Sequence, residues 1–246
     1  MGGDPDAFGT RSAPEDIVGY LEVHIEQGPV LQDADLPVGV VTAIAAQSRG
    51  IAGFTGMAGH AGNTPMRLRR DALAGAADFV LEVERLARAT EGLTATVGWI
   101  ENEPNVGNVI AGRTRMTYDV RHQNEATRDR ARDELEAAAR AIAERRALEL
   151  EWRRRDDLPS VPMSPRLRER LGRACEEAGV RPLELGSGAG HDAVTAAGLT
   201  PEVAMLFVRC KDGVSHHPDE SVREDDVARA LDVVGRFLAL GDPIRG

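Results

Sequence analysis

The chain has 246 residues and a formal net charge of −10 at pH 7, a length that suits one large domain or two modest ones. The acidic balance argues against a nucleic-acid partner, whose phosphate backbone selects a basic face. Aromatic residues make up 4% of the chain, so Val, Leu, Ile and Ala must build the core.

No apolar run approaches the length needed to span a bilayer, so no membrane partner is expected. The N-terminus has neither a signal-peptide core nor the hydroxyl of a myristoylation site, and the expected localisation is cytoplasmic. Cys175 and Cys210 lack metal-like spacing and read as buried thiols.

Residues 1–18 are polar and turn-rich and read as an entry loop or a short helix. Tyr20 to Ile25 alternates in a way that suits a strand, with Leu21, Val23 and Ile25 on one face and Glu22, His24 and Glu26 on the other. Val38 to Ile44 is a continuous apolar run, the signature of a strand buried on both faces of a mainly parallel sheet. Ile51 to Gly56 is the next strand. Asp71 to Ala89 has helical periodicity, with Leu73, Ala76, Ala77, Val80, Leu81, Val83 and Leu86 spaced for one apolar face. Leu93–Ile100 and Arg115–Arg121 are strand-like. Thr127 is a candidate cap for a long helix over Arg128–Arg146, and Leu148–Trp152 closes with a strand. The basic run Arg153-Arg154-Arg155 reads as a solvated strand end.

From 47 to 156 the order is β-α-β-β-α-β, the split βαβ arrangement. Beyond Pro159, Pro162 and Pro165 the pattern returns to α/β. A helix over Arg166–Ala178 is stopped by Gly179, a glycine-dense turn at 184–193 opens a short helix, Val203–Val208 is a buried strand, and Asp225–Leu240 is an amphipathic helix. The expected fold class is therefore α/β. A partial, doubly wound-type domain made of 1–46 and 157–246 is interrupted by an α+β, ferredoxin-like unit at 47–156.

Several short constellations could carry chemistry. His24-Ile25-Glu26-Gln27-Gly28-Pro29 and Gly213-Val214-Ser215-His216-His217-Pro218 each offer an imidazole suited to a zinc-type ion. Gly59-His60-Ala61-Gly62 sets a His among small residues in a turn. Asn108 offers an amide donor and acceptor that suit a ureido or peptide-like group, and Arg121 offers a fork for a carboxylate. Ser187-Gly188-Ala189-Gly190-His191-Asp192 lacks the Lys-Ser/Thr of a phosphate loop and the register of a nucleophile elbow. It reads as a glycine-rich wall presenting His191.

Taken in this order, these blocks resemble one family of metal-dependent amidases: allantoate amidohydrolases, N-carbamoyl-L-amino-acid hydrolases and β-ureidopropionases. The resemblance runs from about Gly19 to Leu240. It implies a hydrolase of a linear amide or ureido C–N bond with two divalent metal ions, Zn or Mn. It makes His24 and His216 metal ligands, with His216 favoured over His217. It makes Gln27, Asn108 and His191 substrate-positioning groups, Arg121 the clamp for the substrate carboxylate, and His60 a stabiliser of the oxyanion.

The resemblance further implies that 47–156 is a lid through which the protein forms a homodimer, and that the substrate is a small carbamoyl or ureido acid. Family members carry an N-terminal segment with further ligands and the general base. The expectation is that this chain corresponds to the C-terminal portion and is inactive alone. The alternative is a non-catalytic ligand-binding or dimerisation module. In a third reading Glu22 or Glu26 joins the flanking residues in a mononuclear metal site.

Overall fold

In a computed structural model, which describes residues 17–240, the elements follow in this chain order. The first part contains β1 (Tyr20–Ile25), α1 (Val30–Asp33), β2 (Val38–Ile44), β3 (Ala46–Thr55), β4 (Gly59–His60), α2 (Ala72–Ala89), β5 (Thr94–Thr96), β6 (Ile100–Glu103) and β7 (Val109–Ile110). The second contains β8 (Arg113–His122), α3 (Glu125–Arg145), β9 (Glu149–Leu158), β10 (Val161–Pro162), α4 (Pro165–Glu177), β11 (Glu184–Ser187), α5 (Ala193–Ala196), β12 (Val203–Val208) and α6 (Glu224–Ala239). Most of the entry segment expected at 1–18 lies outside the described residues.

The chain divides into two compact units, one made of residues up to Ile44 and from Val161 onward, the other of Ala45–Ser160. In the first, β1 pairs parallel with β12, β12 pairs antiparallel with β2, and β2 also pairs with β10 and β11. Strand β2 is buried almost throughout, as its apolar run requires. The sheet around it is nevertheless mixed rather than mainly parallel, because β12 runs against β2 while β11 runs with it. An apolar run encodes burial, not the direction of its neighbours.

Alternation along β12 sends its side chains to two layers. Ala204, Leu206 and Val208 pack with Leu167 and Leu171 of α4 and with Ala230, Val233 and Phe237 of α6. Val203, Met205 and Phe207 pack with Leu31 of α1 and with Ala193 and Ala196 of α5. Both cysteines are buried thiols. Helix α4 is capped by Ser164, whose hydroxyl accepts from the Leu167 amide at 3.4 Å. Gly179 follows its end at φ +72°.

The second unit is a sheet in the order β5-β8-β3-β9, with β6 also on β8 and every pairing antiparallel. Residues Ala52, Phe54, Met116, Tyr118 and Val120 on one face of the sheet pack with Phe79, Val83, Leu135 and Ile142 of the two helices. Strand β3 begins at Ala46 rather than Ile51, because Gln47 and Ser48, though polar, are buried by their ladder neighbours. The strand expected over Leu93–Ile100 is two strands, β5 and β6, broken at Val97-Gly98-Trp99. Helix α3 starts at Glu125, and its cap is Asn124, whose Oδ1 accepts from the Thr127 amide at 3.0 Å.

The buried stripe of α2 comprises Ala72, Ala76, Phe79, Val83 and Leu86. Leu73, Ala77, Val80 and Leu81, expected on that stripe, are exposed. Asp71 caps α2 by accepting from the Leu73 and Ala74 amides at 3.1 and 3.2 Å, a contribution of about 1 kcal/mol.

Tyr118 lies across Gly50 and stacks on Trp152, with ring centroids 4.4 Å apart and planes 8° from parallel. A Cβ on residue 50 would stand 2.3 Å from both the Arg153 carbonyl oxygen and Tyr118 Oη. Gly50→Ala is therefore expected to destabilise the protein by about 3 kcal/mol, since the backbone atom cannot yield. Tyr118→Phe removes a buried hydroxyl that has no hydrogen-bond partner among the described residues, and should be neutral or stabilising. Urea denaturation of both variants checks this opposition of sign.

Candidate metal and substrate site

The parallel β1–β12 pair sets His24 opposite Phe207 and releases two loops at the same end of the sheet. The loop after β12 is fastened to the loop after β1 at three points. Gln27 Nε2 donates to Ser215 Oγ at 2.8 Å. Gln32 Nε2 donates to Asp212 Oδ1 at 2.9 Å, and the Asp212 amide donates to Gln32 Oε1 at 2.8 Å. Cys210 Sγ lies 3.4 Å from the Gly28 carbonyl. Gly213, at φ +64°, lets the loops close, because a Cβ there would stand 2.9 Å from the Gly28 carbonyl carbon and 3.0 Å from the Pro29 nitrogen.

This closure puts His24, Gln27, His216, His217 and Glu220 on the wall of one open cavity of about 710 Å³. Gln27 and His216 both adopt left-handed backbone, at φ +56° and +57°. That is a costly conformation for side chains of their kind, and one that gathers at ligand sites. The His216 amide donates to Glu220 Oε2 at 3.1 Å. His217 is turned toward Asp219, 3.5 Å from its carboxylate.

His24 has a defined tautomer. Its Nδ1 lies 2.8 Å from the Ile25 carbonyl. A carbonyl only accepts, so Nδ1 carries the proton and Nε2 keeps a lone pair, the form in which imidazole binds a metal. Glu22, His24 and His191 each present a donor atom within 4.8 Å of the others. The His24 and His191 rings meet edge to face at 4.6 Å. His191 Nε2 is 2.6 Å from Ser187 Oγ. Its Nδ1 is buried without a hydrogen-bond partner among the described residues and faces Glu22 Oε1 at 3.8 Å. Glu22 Oε2 in turn accepts from the Ala193 amide at 2.7 Å. A half-buried carboxylate facing an unpartnered ring nitrogen is a donor set that a divalent cation would satisfy, so these residues fit a metal.

Glu26 is engaged elsewhere. Its two oxygens accept the Val30 and Leu31 amides at 2.7 and 2.9 Å, which caps α1. Of the two acids flanking His24, only Glu22 stands among the metal-type donors. Its proximity to His191 depends on the fold, and only its place on the His24 face of β1 was visible in the sequence.

The other candidates lie in the Ala45–Ser160 unit. His60 is exposed on the β4–β7 ribbon, opposite Val109, and the carbonyl of exposed Asn108 accepts from the Ala61 amide at 3.0 Å. Arg121 lies on β8 and forms an ion pair with Asp119.

Burial first, then the neighbouring His24, push the His191 imidazole down to about 4. An unfolded His takes up a proton near pH 6.5. Between that pH and 4 the unfolded chain binds more protons than the folded one, so stability falls as pH drops through this window, by about 3 kcal/mol in all. Urea melts at pH 7 and pH 4.5 should show this loss in the parent chain and a smaller loss in His191→Gln. Gly213→Ala should destabilise the protein and loosen the Gln27–Ser215 contact, seen as faster exchange of the loop amides.

The family model described as Peptidase family M20/M25/M40 matches residues 3–240. The chain is 38% identical over 232 residues to an N-carbamoyl-L-amino acid amidohydrolase of Geobacillus stearothermophilus, a match that covers 94% of this chain and 56% of that protein. It is 36% identical over 263 residues to an allantoate deiminase of Arabidopsis thaliana, covering 96% and 50%. A crystal structure of a hydantoinase/carbamoylase-family amidase from Burkholderia multivorans superposes with a TM-score of 0.86 at 35% identity, over 89% of this chain and 54% of that one. The chain thus spans about half the length of the curated relatives it matches.

Proposed function

The chain belongs to the peptidase M20/M25/M40 family, and from that premise we propose that it serves a metal-dependent hydrolase of a carbamoyl or ureido C–N bond. Its substrate would be an N-carbamoyl amino acid or allantoate, the compounds named for its relatives. The observation that carries this reading is the shared cavity of His24 and His216, with a His24 tautomer ready for a metal. His24 and His216 hold divalent metal, zinc or manganese, and Glu22 stands beside His24 as an acid of the same donor group. A bound metal pair supplies carbonyl polarisation and activation of water.

The chain's own residues do the rest. Gln27, Asn108 and His191 position the substrate through hydrogen bonds. Arg121 receives its carboxylate. His60 donates to the oxygen on which negative charge develops. His191 stays neutral near pH 7, so it can accept or donate a hydrogen bond without adding charge. Among the described residues, three donors gather within 4.8 Å, fewer than a two-ion centre requires. Full activity therefore draws on residues outside this set.

That shortfall also favours a second reading, a ligand-binding module without turnover. Release of ammonia or carbamate from N-carbamoyl-L-amino acids and allantoate, with Mn²⁺ or Zn²⁺ added, separates the two. Turnover abolished by a chelator supports the hydrolase. Calorimetric binding without turnover supports the module, and neither binding nor turnover removes both.

The Ala45–Ser160 unit is proposed as lid and dimerisation surface. Leu73, Val80 and Leu81 are exposed on α2, 42%, 36% and 65% accessible, an apolar stripe suited to a second copy of the same helix. Light scattering should show a dimer that Leu81→Glu converts to monomer. A parent chain that is monomeric at high concentration would refute this surface.

A further inference from the structure

Arg121 has a defined setting on the open face of the second unit's sheet. Its Nε donates to Asp119 Oδ1 at 2.8 Å and its Nη2 to Oδ2 at 2.6 Å, a bidentate fork. The two residues are two apart on β8 and so share a face. The β3–β8 register sets Arg49 directly opposite Asp119, and Arg49 Nε donates to the same Oδ2 at 2.9 Å. One carboxylate thus binds two guanidiniums, so these three side chains carry one net positive charge, and Asp156 of β9 stands opposite Arg49 in the ladder. The Asp119 and Arg121 side chains are each 26% exposed and that of Arg49 is 41% exposed. Burial alone would raise the Asp119 carboxyl. The bonds and charges of Arg121 and then Arg49 outweigh it and hold Asp119 below the ordinary carboxylate value.

We propose that Asp119 is the positioning residue of the carboxylate-binding arginine, and that Arg49 sets the charge of that site. This rests on the assignment of Arg121 as the carboxylate clamp. A long arginine side chain loses conformational freedom when it binds, and fixing it beforehand removes that cost from the binding step. An Asp119–Arg121 pair alone is neutral and has no net attraction for an incoming carboxylate. Arg49 restores one positive charge without giving up the fork that orients Arg121. Orientation and charge are thereby supplied by different residues.

The two contributions have opposite signs in one variant. Asp119→Asn makes the site more positive, so charge alone predicts tighter carboxylate binding, whereas loss of orientation predicts weaker binding. The experiment measures calorimetric affinity of the full chain for an N-carbamoyl amino acid and for the matching amide, which lacks the carboxylate. Asp119→Asn should weaken acid binding about tenfold, the scale of a lost charge-assisted bond. Amide binding should stay unchanged, and Asp119→Glu should recover part of the loss. Arg49→Met should weaken acid binding several-fold and flatten its salt dependence. Unchanged or tighter acid binding in Asp119→Asn, or equal weakening of acid and amide, would overturn the proposal.

A parent chain that binds acid and amide alike removes the clamp role of Arg121 itself. In that case, or if neither ligand binds, the nitrogen-15 NMR signal of Arg121 Nε–H decides the positioning claim. A sharp, slowly exchanging signal in the parent that broadens in Asp119→Asn supports it, and indistinguishable signals refute it.

Discussion

The closure of the loop after β12 onto the loop after β1 is the constraint on which the first unit's site depends. Parallel pairing carries β1 and β12 to the same end of the sheet, and Gly213 permits a backbone approach that a Cβ would block. The Gln27–Ser215 and Gln32–Asp212 bonds then fix the approach. Without it, His24 and His216 come from remote parts of the sequence and have no reason to share a cavity. The left-handed backbone at Gln27 and His216 is the strain that such a closure concentrates at its tips.

Around that closure the structure separates ligand-type groups from supporting ones by what already binds them. Glu26 is consumed as a helix cap, and His217 turns toward Asp219. His24 keeps a lone pair on Nε2 because its Nδ1–H donates to the Ile25 carbonyl, and His191 is kept neutral by burial. In the second unit Arg121 is tethered by Asp119, and Arg49 keeps the cluster positive.

Much of the secondary structure was legible because periodicity is a local signal. Tyr20–Ile25, Val38–Ile44 and Val203–Val208 are strands with the expected bounds, since alternation or continuous apolarity needs no knowledge of partners. Strand direction was not legible, and the sheet expected to be mainly parallel is mixed. The start of β3 is not legible because Gln47 and Ser48 are buried by strands far away in sequence. The α3 cap fell on Asn124 rather than Thr127 because two capping residues stand one turn apart and composition does not rank them. The buried stripe of α2 is not legible in the sequence because the helix has apolar residues on both faces. In the sites, the shared face of Asp119 and Arg121 follows from period two, whereas Arg49 and the Glu22–His191 approach depend on register and topology.

The central claim is that His24 and His216, joined by the loop closure, hold the same metal centre. Equilibrium titration of Zn²⁺ into the full chain, His24→Ala, His216→Ala and His217→Ala tests it most directly. The account predicts near-complete loss of binding in the first two variants and little change in the third. Zinc binding that survives His216→Ala at parental affinity would contradict it.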